Sequence, residues 1–144
     1  PPRRPGRPGR APPAPPPGGG GGGGAAAVLV SNHGGRQLDA VPAALDQLPQ
    51  IVAALGGQVP VALDSGIRRG GDVVKALALG ADVVVLGRAA AMALAAGGEE
   101  GVSRLLELFR EEISTTVKLL GAAGVDELTG EMIRPAAGRA VPGW

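Results

Sequence analysis

Val28-Leu29-Val30-Ser31-Asn32-His33-Gly34-Gly35-Arg36-Gln37-Leu38-Asp39 is the stretch from which the rest of the chain can be read. A short apolar run ends in a polar, glycine-rich loop, as in a buried strand that delivers side chains at its C-terminal end. The single histidine of the chain stands three residues before an arginine, with two glycines between them. A neutral imidazole can take a proton near neutral pH. A guanidinium presents a planar fork that matches a carboxylate at two points. The glycines let the backbone turn tightly enough for both side chains to face one cavity. A bare His-x-x-Arg is more often an ordinary loop histidine beside a surface arginine, so the context has to decide.

Two further apolar runs lie downstream, Val59–Leu63 and Val83–Leu86. All three are short and nearly continuous rather than alternating, which predicts strands buried on both faces. Pro60 is tolerable near a strand start. Helical spacing fills the gaps. Val41, Leu45, Leu48, Val52 and Leu55 recur every three or four residues, and Pro49 is expected to split this segment into two short helices, the second starting at the proline. Asp72 is placed to cap a helix over Val73–Leu79 that Gly80 ends. Ala89–Ala96 predicts a short helix, and Val102, Leu105, Leu106, Phe109, Ile113, Val117 and Leu120 mark a long amphipathic one. Asp126 is a candidate cap for a last short helix reaching Ile133. The alternation of strand and helix implies right-handed βαβ units and a parallel sheet.

The loops after the second and third strands carry a different chemistry. Asp64-Ser65-Gly66-Ile67-Arg68-Arg69-Gly70 runs from strand to helix, where backbone N–H groups at the positive end of the helix suit a phosphate. Arg68 adds charge-assisted hydrogen bonds. Gly87-Arg88 repeats the arrangement one unit later. Without that pairing, Asp64 would be a helix cap and the arginines solvated. The acidic set Glu99, Glu100, Glu107, Glu111 and Glu112 predicts a solvated helix face.

Taken together, Ser31–Asp39, Asp64–Gly70 and Gly87-Arg88 resemble the FMN-dependent α-hydroxy-acid oxidase and dehydrogenase family, over about residues 25–133. The resemblance implies the last three βα units of a (β/α)₈ barrel, a fold that needs roughly 250 residues when closed. It implies oxidation of an (S)-2-hydroxy acid to a 2-oxo acid, with FMN as cofactor and a homo-oligomeric parent enzyme. His33 would be the catalytic base, also touching substrate, and Arg36 would bind the substrate carboxylate. Ser31, Asp64, Ser65, Gly66, Ile67, Arg68, Gly87 and Arg88 would hold the flavin. Asp39 belongs to the same motif, although a capping role explains it as well. Ala89 departs from the family, which usually has proline there. The family's lysine near the flavin has no counterpart, since Lys75 and Lys118 both fall in predicted helices, and the chain has no tyrosine. The aspartate that orients the histidine should lie upstream. The resemblance therefore implies a C-terminal part of such an enzyme. The alternatives are a noncatalytic flavin- or phosphate-binding remnant and a truncated product without function.

Composition sets the outer bounds. The 144 residues suffice for one domain. Residues 1–27 contain only Pro, Arg, Gly and Ala, the residues that codons of G and C alone can encode. Such a run builds no core, and residues 1–24 are expected to form a disordered arm. With no methionine at the start, the chain reads as a fragment or a damaged gene model, folded from about Ala25. Residues 25–133 would be the partial flavin domain and 134–144 a loose tail. Arg3, Arg4, Arg7 and Arg10 account for the net charge of +1, and the remainder stands at −3. The basic balance thus belongs to the arm, and no nucleic-acid partner is expected. With no cysteine, neither disulfides nor thiolate metal sites can form, and no other metal site is expected. No apolar run approaches a membrane span. The N-terminus lacks a secretory h-region and the C-terminus is not of the Ser-Lys-Leu type, so the expected compartment is cytoplasmic or peroxisomal.

Overall fold

The computed structural model describes residues 25–134, so the arm over 1–24 and all but the first residue of the tail lie outside the described residues. Strands β1 (Val28–Val30), β2 (Val61–Leu63) and β3 (Val83–Val84) form one sheet in the order β1-β2-β3. Both pairings are parallel, with Val28 opposite Val61 and Ala62 opposite Val83. Parallel neighbours need a crossover. Helices α1 (Ala44–Leu55) and α2 (Gly70–Ala78) provide them, and α3 (Arg88–Leu119) follows β3. All three strand ends therefore open on the same edge of the sheet.

The helices cover one face of the sheet. Val30, Val61 and Leu63 pack there with Leu48 of α1 and Ala76 of α2, and Leu48 and Leu63 are fully buried. A second cluster joins Val74 and Ala78 of α2 to Val117 of α3 and to Ala122 and Leu128 beyond it. The opposite sheet face is open: Leu29 is 54% exposed, Val83 51% and Val85 40%. The expectation of strands buried on both faces thus holds for one face only, because no described element lies against the other.

Three helix boundaries differ from the sequence reading. Pro49 does not divide α1, which runs through it as one helix. The proline removes one internal hydrogen bond. The stripe formed by Leu45, Leu48, Ile51, Val52 and Leu55 packs on the core on both sides of it and keeps the axis continuous. Asp72 is not the N-cap of α2. It lies in the first turn, and its Oδ2 accepts the backbone N–H groups of Arg68 and Arg69 at 3.1 and 3.2 Å. Asp126 caps no helix, since residues 125–132 form two short 3₁₀ turns, and the carboxylate in use there is Glu127, which accepts the Ala123 N–H at 2.8 Å. The break between the two predicted C-terminal helices is borne out as a kink inside α3, where Gly97 and Gly98 leave helical conformation.

Glu112 is not merely solvated. From α3 it accepts two hydrogen bonds from the Arg69 guanidinium, at 2.6 and 3.0 Å, and the Gly70 N–H at 2.6 Å. The helices meet so closely here that a Cβ on Gly70 would sit 2.5 Å from the Glu112 Cβ. The Arg69 hydrogen bond, and then that from Gly70, hold the Glu112 carboxyl below its ordinary value of 4.5. Burial pushes Asp72 up, but the N–H groups of Arg68 and Arg69 and the Lys75 ammonium outweigh it and leave Asp72 below its ordinary value. A depressed carboxylate pKa contributes stability above the unfolded-state value, and that stability is lost as pH falls through the folded value. Thermal melts of the chain and of Glu112→Gln should therefore differ most above pH 4.5 and converge below it. A gap that does not change with pH would remove the ionic tie from the account.

Candidate functional site

The site is assembled from the three loops at the C-terminal strand edge. The first follows β1. His33, Gly34 and Gly35 all have positive φ, at 55, 67 and 74°. This is natural for glycine and strained for histidine. Local bonds hold the turn: the His33 N–H donates to Ser31 Oγ at 3.0 Å, and the Gly35 N–H to the Asn32 carbonyl at 2.9 Å. Asp39 caps no helix, since α1 begins after Ala43, and its Oδ1 accepts the next N–H, that of Ala40.

The second loop follows β2 and the third follows β3, and both close on Gly34. The Gly34 N–H donates to Ser65 Oγ at 3.0 Å, and the Ser65 hydroxyl donates to Asp64 Oδ1 at 2.7 Å. From the other side Arg88 donates to the Gly34 carbonyl at 3.3 Å. A Cβ on Gly34 would lie 3.1 Å from the Arg88 guanidinium, so a bare backbone favours this approach.

These loops enclose an open cleft of about 490 Å³. His33, Arg36, Asp64, Arg68 and Arg88 line it together with backbone of Gly34, Gly66 and Gly87. The structure thus brings together every residue assigned to substrate or flavin except Ser31, which touches the site through its bond to the His33 N–H. Arg68 has no acidic partner among the described residues. Its neighbour Arg69, which the sequence presents identically, is held by Glu112 and does not line the cleft.

The two helix ends facing this edge differ. At the amino end of α2 the N–H groups of Arg68, Arg69 and Gly70 already bond to the carboxylates of Asp72 and Glu112. These three N–H groups are therefore not open to an anion. The amino end of α3 is bare. Its first turn has no acidic residue, and its first backbone bond runs from the Ala91 N–H to the Gly87 carbonyl. The N–H groups of Arg88, Ala89 and Ala90 thus lack intrahelical acceptors, the condition that suits a phosphate. A Cβ built on Gly66 or Gly87 meets nothing within 4 Å, so a ligand can approach the backbone there. Two arginines, a bare helix end and open glycine backbone fit a phosphate-bearing cofactor. Sequence reasoning missed Glu112 and Arg69 as a pair, since no local pattern joins residues 43 positions apart.

No group of three or more His, Asp or Glu side chains able to hold a metal occurs among the described residues, and no described helix is long and apolar enough to cross a membrane.

Comparison with known proteins gives one consistent result. Residues 22–135 match the model of the FMN-dependent dehydrogenase family. The chain is 48% identical to 2-hydroxyacid oxidase 2 of Mus musculus over 106 residues, which is 74% of this chain and 30% of that protein. It is 50% identical to L-lactate oxidase of Nostoc sp. over 100 residues, 69% of this chain and 27% of the relative. Among solved structures, an (S)-mandelate dehydrogenase superposes with a TM-score of 0.74 at 46% identity, covering 78% of this chain and 31% of the other. A mandelate oxidase superposes with a TM-score of 0.68 at 51% identity, over 71% and 31%. The chain spans under a third of the length of these relatives. A match that runs through all three loops of the cleft, at about half identity, means that the chain belongs to the FMN-dependent dehydrogenase family.

Proposed function

We propose that residues 25–133 are the C-terminal three βα units of a (β/α)₈ enzyme that binds FMN and oxidises an (S)-2-hydroxy acid to a 2-oxo acid. The observation that carries this reading is the convergence of His33, Arg36, Arg68 and Arg88 on one cleft at the C-terminal strand edge, where such barrels hold their ligands. The relatives named for 2-hydroxy acids and lactate support the substrate class, and the peroxisomal (S)-2-hydroxyacid oxidase of Arabidopsis thaliana supports the peroxisomal alternative for the compartment.

In this reading Arg68, Arg88 and the bare N–H groups of α3 take the phosphate, while Asp64 and the backbone of Ser65, Gly66, Ile67 and Gly87 line the remainder of the flavin's seat. Bound FMN would supply the acceptor for the two electrons that leave the substrate carbon. Arg36 pairs with the substrate carboxylate and so fixes which end of the acid faces His33. His33 takes the proton. Its exposed ring and fixed backbone turn leave it free to do so from a constant position. Ser31 acts on the site by holding the His33 N–H.

The 144-residue chain with added FMN is expected to give no stoichiometric bleaching of the flavin by glycolate, lactate or mandelate, because the lysine and tyrosines of the family site are not in it. Bleaching by any of these acids would contradict that division of the site. The full reaction is tested in a chimera joining residues 25–134 to the upstream βα units of a family relative. There His33→Ala should slow flavin reduction by the ~10²–10⁴ of a lost general base. An unimpaired rate would remove His33 from the reaction and favour a noncatalytic flavin-binding remnant. Arg68→Ala in the same chimera removes a charge-assisted contact of about 1.5–3 kcal/mol. FMN binding should weaken roughly 10–150-fold, while riboflavin, which lacks the phosphate, should be almost indifferent. Equal losses for both flavins would take Arg68 off the phosphate.

A further inference from the structure

Ser65 stands in an unfavourable conformation that its side chain explains. Its φ is +74°, in the left-handed region where serine is strained and glycine is not, and Gly66 follows at +79°. Its hydroxyl is committed twice within the protein. It donates to Asp64 Oδ1 at 2.7 Å, which turns its lone pairs toward the Gly34 N–H at 3.0 Å. The accepted N–H belongs to the peptide bond that leaves His33. The N–H entering His33 is held by another hydroxyl, that of Ser31. The histidine is thus gripped by a hydroxyl on each side, one from its own loop and one from the loop after β2, 31 positions away.

We propose that the Asp64–Ser65 pair is a positioning device for His33: Asp64 aims the Ser65 hydroxyl, and Ser65 holds the His33–Gly34 peptide in its left-handed turn. This rests on the reading of His33 as the proton acceptor. It assigns the Ser65 side chain to the histidine loop rather than to the flavin, leaving only Ser65 backbone for the cofactor. Arg88 completes the arrangement by binding the carbonyl of the same Gly34 residue. The phosphate loop and the histidine loop therefore share one anchoring residue. A general structural role for Ser65 would stabilise the whole sheet edge, whereas this role acts on one amide.

Amide hydrogen exchange on the 144-residue chain, read by NMR without flavin, separates these possibilities. In the unsubstituted chain the Gly34 amide should be protected. Ser65→Ala should speed its exchange by on the order of tenfold or more. The amides of Asp64 and Val85, which bond to Val30 and Leu63 in the sheet, should keep their rates. Ser65→Gly relieves the left-handed strain, so its melting temperature should hold or rise while Gly34 exchange still accelerates. That divergence of stability and local protection is the signature of positioning. The proposal is overturned by an unprotected Gly34 amide in the parent chain, or by unchanged Gly34 exchange in either variant. Equal acceleration at Gly34, Asp64 and Val85 would also overturn it, since Ser65 would then be a general support. Because flavin is absent, none of these outcomes depends on the phosphate assignment, which the FMN and riboflavin titrations of Arg68→Ala test separately.

Discussion

The two hydrogen bonds of the Gly34 peptide groups are the constraint on which the site depends. One joins the loop after β1 to the loop after β2, and the other joins it to the start of α3. The sheet itself is short, with three, three and two residues per strand. Such strands bring their ends to a common edge but cannot fix the loops that continue from them. Gly34 does so because it lacks a Cβ and accepts a positive φ. The positive φ is the firmer of the two, since a side chain there would strain the turn and also press the Arg88 guanidinium aside by a few tenths of an ångström.

A second division of labour is electrostatic. Two helix amino ends face the same edge, and both carry the partial positive charge of unsatisfied N–H groups. In α2 that charge is neutralised from within by Asp72 and from outside by Glu112. In α3 no acidic residue of the first turn and no side-chain cap among the described residues neutralises it. The same contact separates the adjacent arginines, because Glu112 draws Arg69 against α3 and leaves Arg68 on the cleft. Unneutralised positive charge at the cleft is therefore concentrated at one helix end and two guanidinium groups. Beyond its contribution to stability, this tie decides which charges face the cleft.

The parallel α/β order and the strand positions were legible from local periodicity, and nearly all of the cleft residues from motifs at strand ends read through the family resemblance. Strands β1 to β3 fall inside the predicted apolar runs, and the glycines at 97 and 98 do break the last helix. The departures lie where a residue's role is not set by the pattern of its immediate neighbours. Asp72, Pro49 and Glu112 were each read from their immediate neighbours. A carboxylate before a helical run looks like an N-cap, a proline looks like a helix break, and a glutamate among glutamates looks solvated. Tertiary packing decided otherwise for Pro49 and Glu112, whereas Asp72 serves its helix locally, from within the first turn, by accepting the Arg68 and Arg69 N–H groups. The buried stripe of α1 carries the helix through Pro49, and the backbone contact at Gly70 brings Glu112 to the amino end of α2.

The open face of the sheet bears on the same point. Leu29, Val83 and Val85 lie on the side away from α1 and α2, and continuous apolar strands are the pattern of a sheet covered on both sides. Their composition therefore asks for a cover that the described residues do not supply. In a closed barrel these side chains would point inward and meet those of the other strands. The cleft lies at the edge of this same sheet, so what covers the face also decides how firmly the loop ends are held. The Gly34 bonds supply a restraint that does not depend on that cover: they tie the three loops to one another directly, above strands only two or three residues long.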